Sequence, residues 1–170
     1  MPDFLETFDD TGDVAGTDFN DLSPFTQGYI QALFFTNESP GYYMTMWDTE
    51  DTQHDLEEGY MDGCLPADAG FSDLNPDTLA RIHTDCRDFE RKASRLLSIA
   101  YSRGYEREQA GRDFWFTRNG HGVGFWDRKE LDADDLGREL SDIAKTFGET
   151  WASFDPDDAS PTGYGYVNLM

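Results

Sequence analysis

Four side chains between Asp113 and Arg128 have the chemistry of a small active site: the guanidinium of Arg118, the amide of Asn119, the imidazole of His121 and the carboxylate of Asp127. An imidazole titrates near neutral pH and serves as a general base or a metal ligand. No nucleophile or second metal ligand lies at a recognisable spacing from it, however, and Asn, Gly and His all tolerate turn geometry. The residues therefore favour a structural turn, with a catalytic or ligand-binding site as the alternative.

A second pair, His83 and Cys86, is separated by three residues in a predicted helix, so both side chains could reach one metal ion. Two ligands are too few, and His54 and Cys64 would have to supply the others from a distant acidic segment. No zinc spacing is present, and no acidic run has the glycine and closing glutamate of a calcium loop. We therefore predict no metal and no cofactor, and we expect both cysteines to be reduced thiols in a cytoplasmic protein.

The charges are distributed very unevenly along the 170 residues. Residues 1–80 contain 18 acidic residues and no Lys or Arg, whereas residues 81–145 contain 13 acids and all 13 bases. Residues 146–170 add four acids, so the net charge is −22. This balance disfavours direct binding to nucleic acid or to an anionic membrane and favours a basic partner. We expect neither a signal peptide nor a membrane span, because no apolar run approaches the ~20 residues that a spanning helix needs.

Three segments combine a capping residue, an apolar stripe spaced by three and four residues, and a stop signal. A Ser-Pro or Asn-Pro pair opens the first two, and a glycine follows the last two. The sequence therefore predicts three helices, over 24–37, 76–103 and 132–147, the last capped by Asp132 or Asp134.

The apolar stripe of the second predicted helix leaves its other faces charged. The charges there are of mixed sign, which is typical of a solvated face. They comprise Arg81, Asp85, Arg87, Asp88, Glu90, Arg91, Lys92 and Arg95.

Residues 113–128 are predicted to form a β-hairpin. Apolar and smaller residues alternate in Phe114–Thr117 and Val123–Trp126, and the intervening Asn-Gly-His-Gly suits a tight turn. A short helical or turn segment is expected before it, over 105–111. A second hairpin, with strands over 150–154 and 164–169, could extend the first into a small antiparallel sheet.

These elements predict an α+β fold, with about three helices packed on a small antiparallel sheet that is built around the central hairpin. Residues 1–22 are predicted to be an acidic N-terminal arm, and residues 23–170 a single domain. Residues 38–74 are predicted to be an acidic loop inserted in that domain. A loop of this length in a compact domain is either functional or disordered.

The run DFWFTRNGHGVGFWDR, residues 113–128, resembles a motif shared by a group of small proteins of unknown function encoded by bacteriophages, plasmids and diverse bacteria. Weaker resemblance extends to residues 25–35, 76–86 and 144–149, about half of the chain in total. Residues from 151 onward depart from the family pattern, and the acidic segment is longer than usual. The resemblance implies a mobile-element origin and a bacterial cytoplasm, and it transfers no catalytic residue.

The charge distribution leads to a functional hypothesis. Duplex DNA carries one negative charge per ~1.7 Å of its axis, and a dense carboxylate surface can occupy the same basic groove. We therefore expect an acidic, DNA-mimicking inhibitor that occludes a basic DNA- or RNA-binding host protein, such as a restriction, CRISPR or repair enzyme. Nearby aromatic residues would anchor the contact. The expected contact residues are Asp48, Glu50, Asp51, Asp55, Glu57, Glu58 and Asp62, with Trp47 and Tyr60.

Three alternatives remain open from the sequence. The first is a small enzyme or ligand-binding domain that uses Arg118, Asn119, His121 and Asp127. The second is a phage accessory protein with a structural partner. The third is adaptation to salt, although salt-adapted acidity should be spread over the whole chain. Neither the oligomeric state nor the target follows from the sequence.

Overall fold

The computed structural model describes residues 17–37, 65, 69–163 and 165–170. These residues contain five α-helices and one two-stranded antiparallel sheet, so the predicted α+β class is confirmed and the expected number of helices is wrong. No helix among them is both long enough and apolar enough to cross a membrane. The elements are α1 Pro24–Asn37, α2 Pro76–Lys92, α3 Ser94–Ser102, α4 Arg107–Arg118, α5 Leu136–Lys145, β1 Ala152–Pro156 and β2 Gly165–Leu169.

The described residues divide into two compact units. The first contains residues 17–32 and 79–150, and the second contains the remaining described residues. At the start of the first unit, Asp18 caps a single 3-10 turn, Phe19–Asp21, through the backbone N–H of Asn20. The single domain over 23–170 and the arm over 1–22 stay predictions.

The core of the first unit is mainly aromatic. The Phe89 ring stacks on Phe114, with 4.2 Å between the ring centroids, and on Phe125 at 5.5 Å. Phe25 stacks on Phe89 from α1, and Phe147 meets Phe114 edge to face at 5.1 Å. Aromatic pairs of this kind contribute about 0.5–1.5 kcal/mol beyond the area that they bury. The abundant Phe, Trp and Tyr residues thus allow a strongly acidic chain to build a core.

Helices α1 and α4 touch through two glycines. A Cβ added at Gly111 would overlap the carbonyl oxygen of Phe25, and one added at Gly28 would overlap the carbonyl oxygen of Glu108. The backbones of the two helices therefore approach more closely than any side chain would permit. This contact fixes where α4 lies in the first unit.

The predicted caps of the first two helices are confirmed. The Ser23 hydroxyl accepts from the Thr26 N–H at 3.2 Å, and the Asn75 side chain accepts from the Asp77 N–H at 3.0 Å. The predicted helix over 76–103 is interrupted at Ala93, where ψ is 10°. Hydrogen bonds still bridge this kink, and neither Pro nor Gly marks it in the sequence. Gly104, with φ of +89°, ends α3 as predicted.

The prediction of a β-hairpin over 113–128 is wrong. Residues Arg107–Arg118 form α4, and a turn followed by the 3-10 helix Phe125–Asp127 takes the place of the second strand. Phe114, Trp115 and Phe116 are all buried, so the alternation that a half-buried strand requires is absent. A short, fully buried apolar run has the same pattern in a strand and in a helix, and here the tertiary packing decides for helix.

The start of α5 also differs from the prediction. Neither Asp132 nor Asp134 caps the helix; Asp135 occupies the position before Leu136, and its side chain makes no capping bond. Asp134 and Asp135 have φ of +65° and +57°, the left-handed region that aspartate tolerates better than most residues. Gly148, with φ of +73°, provides the predicted stop.

The second unit contains the sheet. Strands β1 and β2 pair antiparallel from Ala152 opposite Leu169 to Pro156 opposite Gly165, which confirms the second predicted hairpin. Leu74 forms a parallel bridge to Val167, beside this hairpin. The expectation that the hairpin extends a first one is wrong, because residues 113–128 are not strands.

Candidate functional site

The carboxylate of Asp113, the first residue of the motif, lies in a closed polar network. The Arg128 guanidinium donates from Nε to Oδ2 at 2.8 Å and from Nη2 to Oδ1 at 2.6 Å. The Tyr105 hydroxyl donates to Oδ2 at 2.5 Å, and the Gln109 amide donates to Oδ1 at 3.1 Å. Burial raises the pKa of Tyr105, and the adjacent Asp113 raises it further, so the phenol keeps its proton and remains a donor. The first and last residues of the motif therefore form a structural ion pair.

The Arg118 guanidinium, 4 % exposed as a residue, binds the end of α5. It donates to the carbonyl oxygens of Phe147 and Gly148 at 3.0 and 2.9 Å, which lie just past the last turn of α5. It also donates to the Tyr29 hydroxyl at 3.0 Å and to Asp85 Oδ2 at 2.8 Å. This is a cation at a helix C-terminus, where the helix dipole favours it. Its donors are directed to groups of the protein and not to solvent.

The turn after α4 is held by side chains. The Asn119 amide donates to the Trp115 carbonyl at 3.0 Å and accepts from the Thr150 N–H at 2.8 Å. The backbone N–H of His121 donates to the Phe116 carbonyl, and the imidazole ring of His121 lies edge to face on the Phe116 ring, with 5.8 Å between the ring centroids. Partial burial lowers the pKa of His121, so the imidazole is neutral at pH 7.

The exposed part of the motif is small. Trp126 is 52 % exposed and Val123 37 %, and Asp127 is exposed beside them. The backbone behind them is fixed, because the Phe125 N–H donates to the Thr117 hydroxyl and Gly124 packs against the same side chain. Of the four candidate residues, the structure thus places Arg118 and Asn119 in internal hydrogen bonds, leaves His121 half-buried and leaves Asp127 exposed.

The predicted contact residues 47, 48, 50, 51, 55, 57, 58, 60 and 62 lie outside the described residues. The structure does describe the residues on both sides of this segment. The Leu65 N–H donates to the carbonyl oxygen of Asn37, the last residue of α1, at 2.6 Å, and Leu65 is buried. The two described residues that flank 38–64, Asn37 and Leu65, therefore lie next to each other in the second unit.

His83 and Cys86, the pair considered above as metal ligands, lie beside each other on α2. Cys86 is a free, fully buried thiol, and burial raises its pKa. Burial lowers the pKa of His83, because it disfavours the charged imidazolium. No group of three or more His, Cys, Asp or Glu residues suited to a metal ion occurs there. His54 and Cys64 lie outside the described residues.

The basic residues of the first unit are largely occupied by acids of the same unit. Two of these ion pairs are buried on at least one side, Arg118–Asp85 and Arg128–Asp113. The others are exposed and contribute little stability. At least seven bases are paired in this way: Arg87, Arg91, Arg103, Arg112, Arg118, Arg128 and Arg138.

Comparison with protein-family models, with curated proteins and with solved structures gave no match to this chain. The assignment of roles therefore depends on its own residues.

The sequence prediction missed the roles of Asp113, Arg128 and Tyr105. Asp113 and Arg128 were assigned only to the ends of a hairpin, and Tyr105 to a short helical or turn segment. A helical reading of 107–118 was the available signal, since it places Gln109 and Asp113 four residues apart on one face. The contact with Arg128, fifteen residues away, depends on the turn that follows.

Proposed function

We propose that this chain is a stoichiometric inhibitor whose acidic segment, residues 47–62, occupies the basic nucleic-acid-binding surface of a host DNA-processing or defence protein. Its contacts would be the seven carboxylates from Asp48 to Asp62, with Trp47 and Tyr60 as anchors. The mobile-element origin implied by the motif supplies a reason to block such a protein. The observation that carries the proposal is the segregation of charge along the chain.

The segregation has a specific form. Residues 1–80 hold 18 acids and no base, and the first Lys or Arg that follows them is Arg81. A net charge spread evenly over the surface, as salt adaptation would give, would not leave residues 81–145 neutral. A segment of one sign is the form that steers a partner of opposite charge and makes its binding sensitive to salt.

The described ion pairs support the same proposal. At least seven of the 13 bases are already paired with acids of the first unit, and the two with a buried partner are fixed by several hydrogen bonds. These bases are therefore not free to neutralise the acidic segment. The 18 acids of residues 1–80 outnumber the six other bases of the chain threefold, and a basic partner would supply the balancing charge.

The described residues of the second unit add to the argument. They contain the acids Asp73, Asp77, Asp155, Asp157 and Asp158 and no base. Asp155, Asp157 and Asp158 are exposed around the turn of the β-hairpin. The unit to which both ends of the acidic segment are attached is therefore itself acidic.

The experiment is capture of host proteins on the immobilised chain at low salt, followed by elution with salt or with duplex DNA. We expect a nucleic-acid-binding protein to be retained, released by salt, and displaced by the duplex in proportion to its concentration. Displacement by the duplex is the critical readout, because it requires that both ligands use one surface.

A pair of charge-matched variants tests whether the partner binds to the acidic segment, residues 47–62. The first replaces Asp48, Glu50, Asp51, Asp55, Glu57, Glu58 and Asp62 by their amides. The second replaces seven exposed acids elsewhere, namely Glu106, Glu130, Asp132, Asp142, Glu149, Asp155 and Asp158. We expect the first variant to lose capture and the second to keep most of it. Equal loss in both variants, or capture that duplex DNA does not displace, would contradict the proposal.

The alternative site at Arg118, Asn119, His121 and Asp127 stays a prediction. The internal hydrogen bonds of Arg118 and Asn119 do not favour it, since these groups have protein partners already. Replacement of His121 by glutamine separates the two functions. An inhibitor that acts through the acidic segment should keep its activity, whereas an enzyme that uses the imidazole should lose it.

A further inference from the structure

The β-hairpin of the second unit carries two large apolar side chains that face solvent. Trp151 is 57 % exposed and Met170 is 60 % exposed. The two residues lie side by side, because the Met170 N–H donates to the Trp151 carbonyl at 3.0 Å where the strands begin and end. Tryptophan is enriched among the residues that anchor protein–protein contacts. This pair is therefore a candidate contact point.

The alternation of side chains along the strands defines the face to which the pair belongs. Ala152 and Val167 are buried, so the face that carries them is covered by the protein. Successive side chains of a strand point to opposite faces, and the register sets the pairs across the two strands. The opposite face, called here the outer hairpin face, consists of Trp151 beside Met170, Ser153 beside Asn168, and Asp155 beside Tyr166.

The backbone behind the outer hairpin face is fixed at the edge of β2. Leu74 bridges Val167, and the Asn75 N–H donates to the Val167 carbonyl at 3.0 Å. The Leu169 N–H donates to the Thr78 hydroxyl at 3.3 Å. A surface that is already ordered loses little conformational entropy when a partner binds to it.

The charges around this face have one sign. Asp155 lies on the face itself, and Asp157 and Asp158 follow in the exposed turn. The described residues of the second unit include no Lys, Arg or His. A basic partner is attracted to such a surface, whereas an acidic one, including a second copy of this chain, is repelled.

We propose that the outer hairpin face binds an arginine of the basic partner, with the guanidinium stacked on the Trp151 indole and the aliphatic stem on Met170. This second contact deepens the proposed function and rests on it. The acidic segment is attached to the same unit as the hairpin, through Asn37 and Leu65. Arginine suits the site, because its planar, weakly hydrated guanidinium stacks on aromatic rings and recurs on surfaces that recognise nucleic acid.

The acids and the indole have different parts in this contact. Exposed carboxylates at the rim of an interface mainly change the rate of association and its dependence on salt. Removal of the turn carboxylates Asp155 and Asp158 therefore costs little affinity. Stacking on Trp151 involves no pair of opposite ions, and salt screens it far less than an ion pair. Loss of the indole should therefore weaken binding at low and at high salt alike.

The first test is fluorine NMR of the full-length chain labelled with 5-fluorotryptophan and titrated with hexa-arginine or hexa-lysine. The variants Trp151→Phe and Trp126→Phe assign the two resonances. We expect hexa-arginine to shift the Trp151 resonance saturably and hexa-lysine, which has the same charge, to shift it less. The Trp126 resonance is the internal control, since this side chain is 52 % exposed but is followed by Arg128 and Lys129, and it should stay unmoved.

The second test measures the affinity of the host protein retained in the capture experiment. Trp151→Ala should weaken its binding by at least about tenfold, as expected for an anchoring tryptophan, and by the same factor at both salt concentrations. Trp126→Ala removes an equally large exposed side chain from the first unit and should bind as the parent does. Met170→Ala should weaken binding to a smaller extent, because only the aliphatic stem contacts this residue.

Two results would overturn the hairpin contact alone. One is a Trp151 resonance that hexa-arginine shifts no more than it shifts the Trp126 resonance. The other is a Trp151→Ala variant that binds the captured protein as tightly as Trp126→Ala does. Capture by the parent chain and displacement by duplex DNA would still support the proposed function in both cases. Failure of that capture would instead contradict the proposed function, and with it the partner assigned to this face.

Discussion

Asp113 and Glu90 are two carboxylates of the first unit with opposite surroundings: Asp113 is fully buried, and Glu90 is half-buried. Asp113 receives four hydrogen bonds, two of them from one guanidinium. Glu90 lies at the wall of a cavity and receives none from the described residues. The first carboxylate holds α4 to the segment that follows it, whereas the charge of the second is balanced only in part, by Arg107.

This difference helps to distinguish polar residues with a structural role from those that could bind a ligand. Evidence for a structural role is that each polar atom already has its partner, and Asp113 and Arg118 both meet this condition. A binding site requires the reverse, namely polar groups that face an opening and lack partners. The motif at 113–128, which resembles a site in the sequence, is mainly structural by this criterion.

The largest expected effect comes from Asp113→Asn. This change leaves the buried Arg128 pair broken and removes the acceptor for at least one further donor. Removal of one partner of a buried ion pair typically costs about 3–5 kcal/mol. The measurement is the free energy of unfolding in urea.

The matched control for this prediction is Asp127→Asn, which changes an exposed carboxylate of the same motif. Surface changes of this kind usually stay within about 0.5 kcal/mol. A cost for Asp113→Asn that is no larger than that of the control would refute the structural role of the network.

Glu90→Gln should raise the free energy of unfolding, whereas Asp113→Asn lowers it. The pKa of Glu90 is raised from 4.5 to about 7, so the folded state retains a proton that the unfolded chain has lost. Stability of the parent should therefore decline as pH rises from 4.5 to about 7 and then level off. The variant should lack this decline and be more stable at about pH 8, on the order of 2 kcal/mol once solvent screening is allowed for. Urea unfolding across this pH range tests it, and an unchanged pH profile would argue against a desolvated Glu90.

The smallest effect concerns His121. Partial burial lowers its pKa from 6.5, so the folded state favours the neutral imidazole. This contribution to the free energy of unfolding is present at pH values above the pKa that His121 has in the unfolded chain. It is lost as the pH falls from that value toward the lower pKa of the folded state. His121→Gln should abolish this small acid-side loss and change stability little at neutral pH. Thermal unfolding of both proteins at mildly acidic and neutral pH makes the comparison, and a large neutral-pH destabilisation would assign His121 a greater structural role.

The sequence predicted those elements whose signals are local. The Ser23 and Asn75 caps, the Gly104 and Gly148 stops and the terminal hairpin all depend on the chemistry of a few neighbouring residues. The motif at 113–128 failed because a buried aromatic run has no periodicity that distinguishes strand from helix.

The candidate sites were harder to predict because they depend on tertiary contacts. Glu90 belonged to a face that the mixed charges assigned to solvent, and only the packing of α3 and α4 beside it encloses it. The pairing of Arg118 with the end of α5 joins residues about thirty positions apart. No local pattern indicates either arrangement.

The hydrogen bond between Leu65 and Asn37 has a consequence for protein engineering. Because Asn37 and Leu65 are joined by a hydrogen bond, a short Gly-Ser connector can link these two residues in place of residues 38–64. The closure entropy of such a connector depends only weakly on its length, by about 0.6 kcal/mol for each doubling. The same two ends could therefore receive an acidic segment from another protein, with the aromatic core of the first unit left unaltered.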